Sequence, residues 1–374
     1  MYYKPMYPAF DSHVHISGRY DDLDGFMADC KRLYEETGVE GYATQCTSAS
    51  KGSSGQCAAQ LLAKSMYPGR LLAYGGFVYR LDGVPCDRAG MLAQAKDIYD
   101  AGFDGYKMLE GKPTTRKETG IPLDSEIYDD ALSFVEEKGM HVLLHVADPY
   151  IFWDPALCPE SAIKNGWSYV DGTYVEKEAL HAEVDRMLAK HPKLKVTLAH
   201  FYFLSFDLDR LSRFLDRNPC VSLDVTPNPY MFYDFQKDLA RSREFFIKYQ
   251  DRILYGTDNM VHDGFDGKGG LSMAQKRSAD IFRFFEQSDV YEPECWILGP
   301  LRGIGLSGEP LKKIYKLNYE RLQGGARAMD AGKAADYCEK RLAAIERDAL
   351  SAGGGADGVK RQISSVVERL RARR

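Results

Sequence analysis

No stretch of this chain approaches the roughly 20 consecutive apolar residues needed to cross a bilayer. The opening residues, MYYKPMYPAF, lack the charged segment and apolar run of a secretory leader, so a cytoplasmic protein is expected. Positive charge is not in excess: 49 Lys and Arg stand against 54 Asp and Glu, for a net charge of −5. Nucleic acid, which demands a clustered cationic face, is therefore not an expected partner, and neither is a membrane. None of the eight cysteines falls in a C-x-x-C pair. They read as reduced, mostly buried thiols, and a zinc ribbon has no spacing to rest on. No G-x-G-x-x-G follows the first apolar run, which counts against a dinucleotide-binding, doubly wound sheet.

What the chain does have is a repeated unit. A polar–apolar helical stretch ends in Gly, and a short apolar run follows, as in CKRLYEETG–VEGYATQCT and DDALSFVEEKG–MHVLLHV. Gly38, Gly69, Gly102 and Gly139 read as helix stops, because Gly takes the left-handed conformation without a Cβ penalty. Strands are expected near 8–15, 42–47, 71–78, 104–109, 141–146, 195–200, 220–226 and 252–257. Eight strands alternating with helices predict a parallel α/β architecture, and the number eight predicts a closed (β/α)8 TIM barrel. The barrel domain is placed at 1–322 and a helical C-terminal extension at 323–374. Val359, Ile363, Val366, Val367 and Leu370 recur at helical spacing in that extension, which is expected to dock on the barrel or on a second subunit of a homodimer. Residues 147–173 form an aromatic loop long enough to serve as a lid or binding loop.

Histidine is scarce, at 8 residues, yet DSHVHI sets Asp11, His13 and His15 at alternate positions. Strand side chains alternate, so the three are expected on the interior face, with Phe10 and Val14 pointing outward. Lys107, His145, His200 and Asp258 each stand at or near the end of a later apolar run. In a (β/α)8 barrel the strand C-termini build the active site. Several His and a carboxylate on one rim suit a divalent ion such as Zn²⁺ with an open position for water. Such water has its pKa lowered to about 7, and Asp258 or His200 could serve as its base. His141 is expected at the opposite, stability end of the barrel, and His181 and His191 at the surface. His262, in a Gly-rich loop, is read equally as substrate contact or solvent-facing.

The chain resembles the amidohydrolase superfamily, nearest its amidohydrolase-related branch, family 2. The resemblance runs through DSHVHI, LLHVADP, LAKHPKLKVTLAHF, VSLDVT, YGTDN and LKKIYKLNYERL, over roughly residues 8–322. It implies a metal held by His13, His15, His145 and Asp258, with His200 catalytic or serving a second metal. It implies hydrolysis of an amide, ester or lactone in a small, carboxylate-bearing substrate. Non-oxidative decarboxylation of an aromatic or unsaturated acid is the alternative, and a ligand-binding barrel without catalysis is a third. The chain departs from the branch in AHFYFLS, where a small residue and Gly usually follow the His, and in YKMLEG on strand four. Phe201–Phe203 are expected to form a bulky aromatic wall. In two-metal relatives a strand-four Lys is carboxylated and bridges the ions; in single-metal relatives a cation there meets a substrate carboxylate. The reading adopted is one ion per chain, with Lys107, Arg19 and Trp153 as substrate contacts and Asp11 orienting a His.

Overall fold

The computed structural model describes residues 3–16, 22–47, 53–81, 84–228, 230–261, 271–295, 298–352 and 357–373. Parallel strands form one continuous sheet: β1 (Phe10–His15), β2 (Gly41–Gln45), β3 (Leu71–Gly75), β4 (Gly105–Gly111), β5 (His141–Val146), β6 (Lys195–Leu198), β7 (Val221–Asp224), β8 (Ile253–Leu254) and β9 (Asn259–Met260). Neighbours in the sheet run β8-β7-β6-β5-β4-β3-β2-β1-β9. The two outermost strands are the two ends of one chain segment. β8 pairs with β7, and five residues later β9 pairs with β1 through Asn259 and Met260. Between them Tyr255 O accepts the Ser12 N–H at 3.0 Å. The sheet therefore closes on itself as a TIM barrel, with the eight strand positions expected from the sequence.

The helix stops behave as their residue type dictates. Helix α1 (Leu23–Thr37) is capped by the Asp22 carboxylate and buries Leu23, Phe26, Met27, Cys30, Leu33 and Tyr34 along one face. It ends at Gly38, whose φ of +78° is open to Gly without steric cost. Gly69, Gly102 and Gly139 share that left-handed conformation.

Two apolar layers result. Strand residues facing out, such as Val142, Leu144, Val196 and Leu198, pack under the helices. Residues facing in make a separate floor inside the barrel: Phe10, Ala43, Leu72, Tyr74, Leu143 and Leu254, closed from below by Tyr319. Phe10 stacks on Tyr319 with centroids 4.8 Å apart, which corrects the outward orientation expected for it. The pairing of β1 with β2 shifts register between Asp11 and Val14. Such a bulge resets the alternation, so Phe10 and the His13–His15 pair can both face inward.

The C-terminal helices Ala331–Ala352 and Asp357–Arg371 lie against helix α2 (Ser53–Met66). Ile363, Val366 and Leu370 are buried, and the Gln362 amide donates to Gly55 O at 3.4 Å. Every residue of α2 from Ser53 to Lys64 is consequently buried. Among the described residues no helix is long and apolar enough to cross a membrane.

His141 lies at the floor, as its place at the start of β5 implied. The Tyr74 hydroxyl lies 2.7 Å from its Nδ1, and Thr197 Oγ1 lies 2.8 Å from its Nε2. Burial, with Lys195 nearby, pushes its pKa down to about 3. Between about pH 6.5 and pH 3 the unfolded chain binds a proton here that the native chain does not, so stability falls as pH falls. From pH 7 to pH 5 the wild type is expected to lose about 2 kcal/mol more unfolding free energy than His141→Gln. Urea denaturation at both pH values checks this; equal losses would show that His141 is not held neutral.

Candidate metal centre

β1 delivers two imidazoles to the C-terminal rim of the barrel. His13 Nδ1 lies 2.8 Å from Asp224 Oδ2, and Asp224 is fully buried at the end of β7. A carboxylate there accepts a hydrogen bond, which assigns the His13 proton to Nδ1 and leaves Nε2 as a lone pair. That lone pair points into a small space. His15 Nε2 is 3.1 Å away, Asp258 Oδ1 3.6 Å and Lys107 Nζ 3.2 Å. Asp258 Oδ1 is in turn 3.3 Å from His15 Nε2. One ligand atom from each of His13, His15 and Asp258 lies within 4.8 Å of the others.

Asp258 is aimed by its backbone. Its φ is +60°, its N–H donates to His13 O at 2.9 Å, and its carbonyl accepts from Arg277 Nη1 at 2.7 Å. Two residues earlier, Gly256 admits this close approach: a Cβ there would meet Thr226 Oγ1 at 2.5 Å and His13 Cβ at 3.1 Å. Asp11 ties the same segment to β1. It accepts from the Thr257 hydroxyl at 2.5 Å, from the Thr257 N–H at 3.1 Å and from the His13 N–H at 3.1 Å. Asp11 thus holds backbone, whereas the residue that orients a ring is Asp224. Sequence reasoning passed over Asp224, although it ends the apolar run VSLD just as Asp258 ends RILYGTD.

Burial sets the protonation states. It pushes His15 down to about 4, and with Lys107 beside it His13 falls well below the ordinary imidazole range. Both rings are neutral at pH 7, as a metal ligand must be. Burial works against the charge on Asp258, yet His15, His13, His200 and Arg277 together hold its carboxyl well below the usual range. Burial brings Lys107 down to about 8, with Asp224 and Asp258 opposing. Two neutral imidazole nitrogens and a carboxylate turned toward one space are a donor set that fits a divalent cation.

His145, the penultimate residue of β5, stands on the far side of this group. Its Nε2 lies 3.0 Å from Ala147 O and 3.4 Å from Asp148 Oδ1, and its ring is 4.9 Å from that of His200. The His13, His15 and Asp258 atoms thus converge, and His145 stands outside that trio, beside His200. His200 begins a turn in which four successive residues have positive φ: +56°, +56°, +58° and +49° for His200 to Phe203. A left-handed turn costs a residue with a Cβ about 1–2 kcal/mol. Burying Phe201, Tyr202 and Phe203 offsets this at about 1.5–3 kcal/mol per large apolar side chain.

That turn corrects the expected aromatic wall. Phe203 alone meets the site histidines, 5.4 Å from His145 and 5.1 Å from His200 between ring centroids. Phe201 points outward among Phe235, Phe245 and Phe246. Tyr202 packs against His181 with ring centroids 4.4 Å apart, and His181 is buried rather than at the surface. His191 is buried as well.

The long loop holds a short helix, Glu160–Lys164, and its own core of Phe152, Ala162 and Tyr169. Trp153 belongs to this loop interior: its ring is 4.6 Å from Tyr169 and its indole N–H donates to Val175 O at 3.3 Å. The Tyr169 hydroxyl donates to Asp148 Oδ2 at 2.6 Å, and Lys112 Nζ is 2.9 Å from the same oxygen. The loop is thereby anchored beside His145. Arg19 and His262 lie outside the described residues.

A closed (β/α)8 barrel with a candidate divalent-metal centre on its C-terminal rim defines a class of metal-dependent barrel proteins. Within it the chain belongs to the amidohydrolase family, which it matches over residues 10–283. No curated protein matches the chain. Among solved structures, an uncharacterized TIM-barrel protein of Bordetella bronchiseptica is 16% identical, with 85% of this chain and 99% of that one covered and a TM-score of 0.51. A 2,6-dihydroxybenzoate decarboxylase from Rhizobium is 14% identical over 85% and 99% of the two chains, at a TM-score of 0.50. The Metarhizium anisopliae IDCase is 14% identical over 82% and 79%, at 0.51. At these identities the likeness is one of fold.

Proposed function

We propose that this chain is a metal-dependent hydrolase that cleaves an amide, ester or lactone bond in a small, anionic substrate. The observation that carries the reading is the convergence of His13 Nε2, His15 Nε2 and an Asp258 oxygen. In this reading His13, His15 and Asp258 hold a divalent ion, Zn²⁺ by the chemistry of the donors, with His145 as the fourth ligand. The ion, when bound, supplies Lewis acidity and lowers the pKa of water. The remaining work falls to the protein. Asp224 keeps the His13 proton on Nδ1. Asp258 and His200 exchange protons with water and with the leaving group. Lys107 offers its ammonium to an anionic group of the substrate, and Arg19 is a further candidate contact.

Decarboxylation of an aromatic or unsaturated acid is the second reading. The buried Lys107 cation and the apolar Phe203 ring favour it, because such a reaction needs a carboxylate partner beside an apolar pocket. Zn²⁺-loaded protein assayed against small lactones, aryl esters and amides, each with a chelator control, is expected to show chelator-sensitive hydrolysis. Release of CO₂ from an aromatic carboxylate without hydrolysis of any of them would establish the second reading instead.

The loop contributes through Tyr169, which holds Asp148 beside His145. Trp153→Ala removes the ring packed on Tyr169 and is expected to raise KM or lower kcat by about tenfold, near 1.4 kcal/mol, with the thermal midpoint little changed. An unchanged kinetic profile would separate the loop from the site.

A further inference from the structure

One carboxylate touches both halves of the centre. Asp224 Oδ2 receives the Nδ1–H of His13 at 2.8 Å, while Oδ1 receives the backbone N–H of His200 at 2.8 Å and that of Thr226 at 3.1 Å. Thr226 Oγ1 adds a contact to the same His13 nitrogen at 3.1 Å. Asp224 is fully buried, so water cannot replace either partner. The N–H it takes from His200 belongs to the first residue of the left-handed turn, whose four residues all carry a Cβ and prefer other conformations. The turn therefore depends on its few fixed anchors.

We infer that Asp224 is a positioning residue that couples the metal-ligating ring of His13 to the left-handed turn carrying His200, so that metal binding and the turn stabilise each other. The inference rests on the metal reading of the site. A cation on Nε2 draws electron density from the ring and makes its Nδ1–H a stronger donor, which fixes Asp224. A fixed Asp224 holds the His200 N–H and with it the first residue of the turn. Coupling of this kind is reciprocal, so a formed turn also tightens metal binding. The carboxylate is required because both neighbours are donors. An Asn in its place has one acceptor oxygen and one NH₂, and so faces one of the two with a donor. Either the His200 N–H is released, or His13 turns to the tautomer with its proton on Nε2, the nitrogen that faces the metal.

The test is hydrogen exchange on the full chain with and without Zn²⁺. Zn²⁺ is expected to raise protection of the 199–204 peptide at least tenfold in the wild type. In Asp224→Asn at saturating Zn²⁺ that response is expected to vanish, with Zn²⁺ affinity weakened about 10–100-fold. Ring ¹⁵N shifts of His13 should report Nδ1 protonated in the wild type and an altered tautomer balance in the variant, a signature that simple loss of packing does not produce. Zn²⁺ binding that leaves 199–204 unchanged in the wild type would overturn the coupling while the metal centre stands. A wild-type response retained in Asp224→Asn would also overturn it. A wild type that binds no Zn²⁺ would instead remove the metal reading, and the coupling with it. Should Asp224→Asn fail to fold, the wild-type comparison decides alone.

Discussion

Purified protein is expected to retain about one divalent transition ion per chain, and the His13→Ala, His15→Ala double variant to retain none after gel filtration. The two rings supply two of the three donor atoms that converge, and the Asp258 carboxylate with His145, which stands outside that trio, is a weak site. Elemental analysis reads the difference directly, and equal metal content in both proteins would refute the site. A second readout is stability. An ion that binds only the native chain stabilises it by about 4 kcal/mol at a thousand times its Kd, so chelation should lower the wild-type thermal midpoint. The double variant should melt at the same temperature with and without chelator. Its fold is expected to survive, because the barrel floor and the outer helical layer contain neither ring.

Much of this was legible from spacing alone. The Gly that ends each of the first four helical stretches, the apolar runs along the chain, and the polar residue closing several of them are local signals with local causes. They located the strands and brought Lys107, His145, His200 and Asp258 to one rim. What stayed hidden depends on backbone geometry that no residue type announces. The bulge between Asp11 and Val14 turns Phe10 inward, against strict alternation. The left-handed turn sends Phe201, Tyr202 and Phe203 in three directions, where adjacency in sequence suggested one wall. The same turn lays Tyr202 over His181 and buries a histidine that a helix pattern had assigned to solvent. Asp224 was different in kind: its signal was present, since it ends an apolar strand, but its role appears only once barrel closure leaves just the β8–β9 segment between β7 and β1 and brings Asp224 to the His13 ring.

Replacing Lys107 by Met is expected to raise KM about 10–100-fold while metal content stays near one ion per chain, the loss expected of a hydrogen bond to a charged group worth about 1.5–3 kcal/mol. Lys107 is wholly buried, and its ammonium approaches His13 Nε2 at 3.2 Å, on the edge of the space the ligands enclose. Asp224 and Asp258 favour its charge while burial opposes it, and the balance near 8 leaves the ammonium dominant at pH 7. A cation so placed cannot ligate a metal, because ligands must be deprotonated. It can meet an anionic group of a substrate that reaches the ion, and binding is what its removal should weaken. The opposing arrangement has Lys107 carboxylated between two ions. The new negative charge would then need both cations, with His145 and His200 serving the second. The two arrangements part on one measurement. Two ions per wild-type chain, falling to one or none in Lys107→Met or when bicarbonate is removed, would establish the bridged centre. One ion in both proteins, with the change confined to KM, makes Lys107 the residue that receives the anionic end of the substrate.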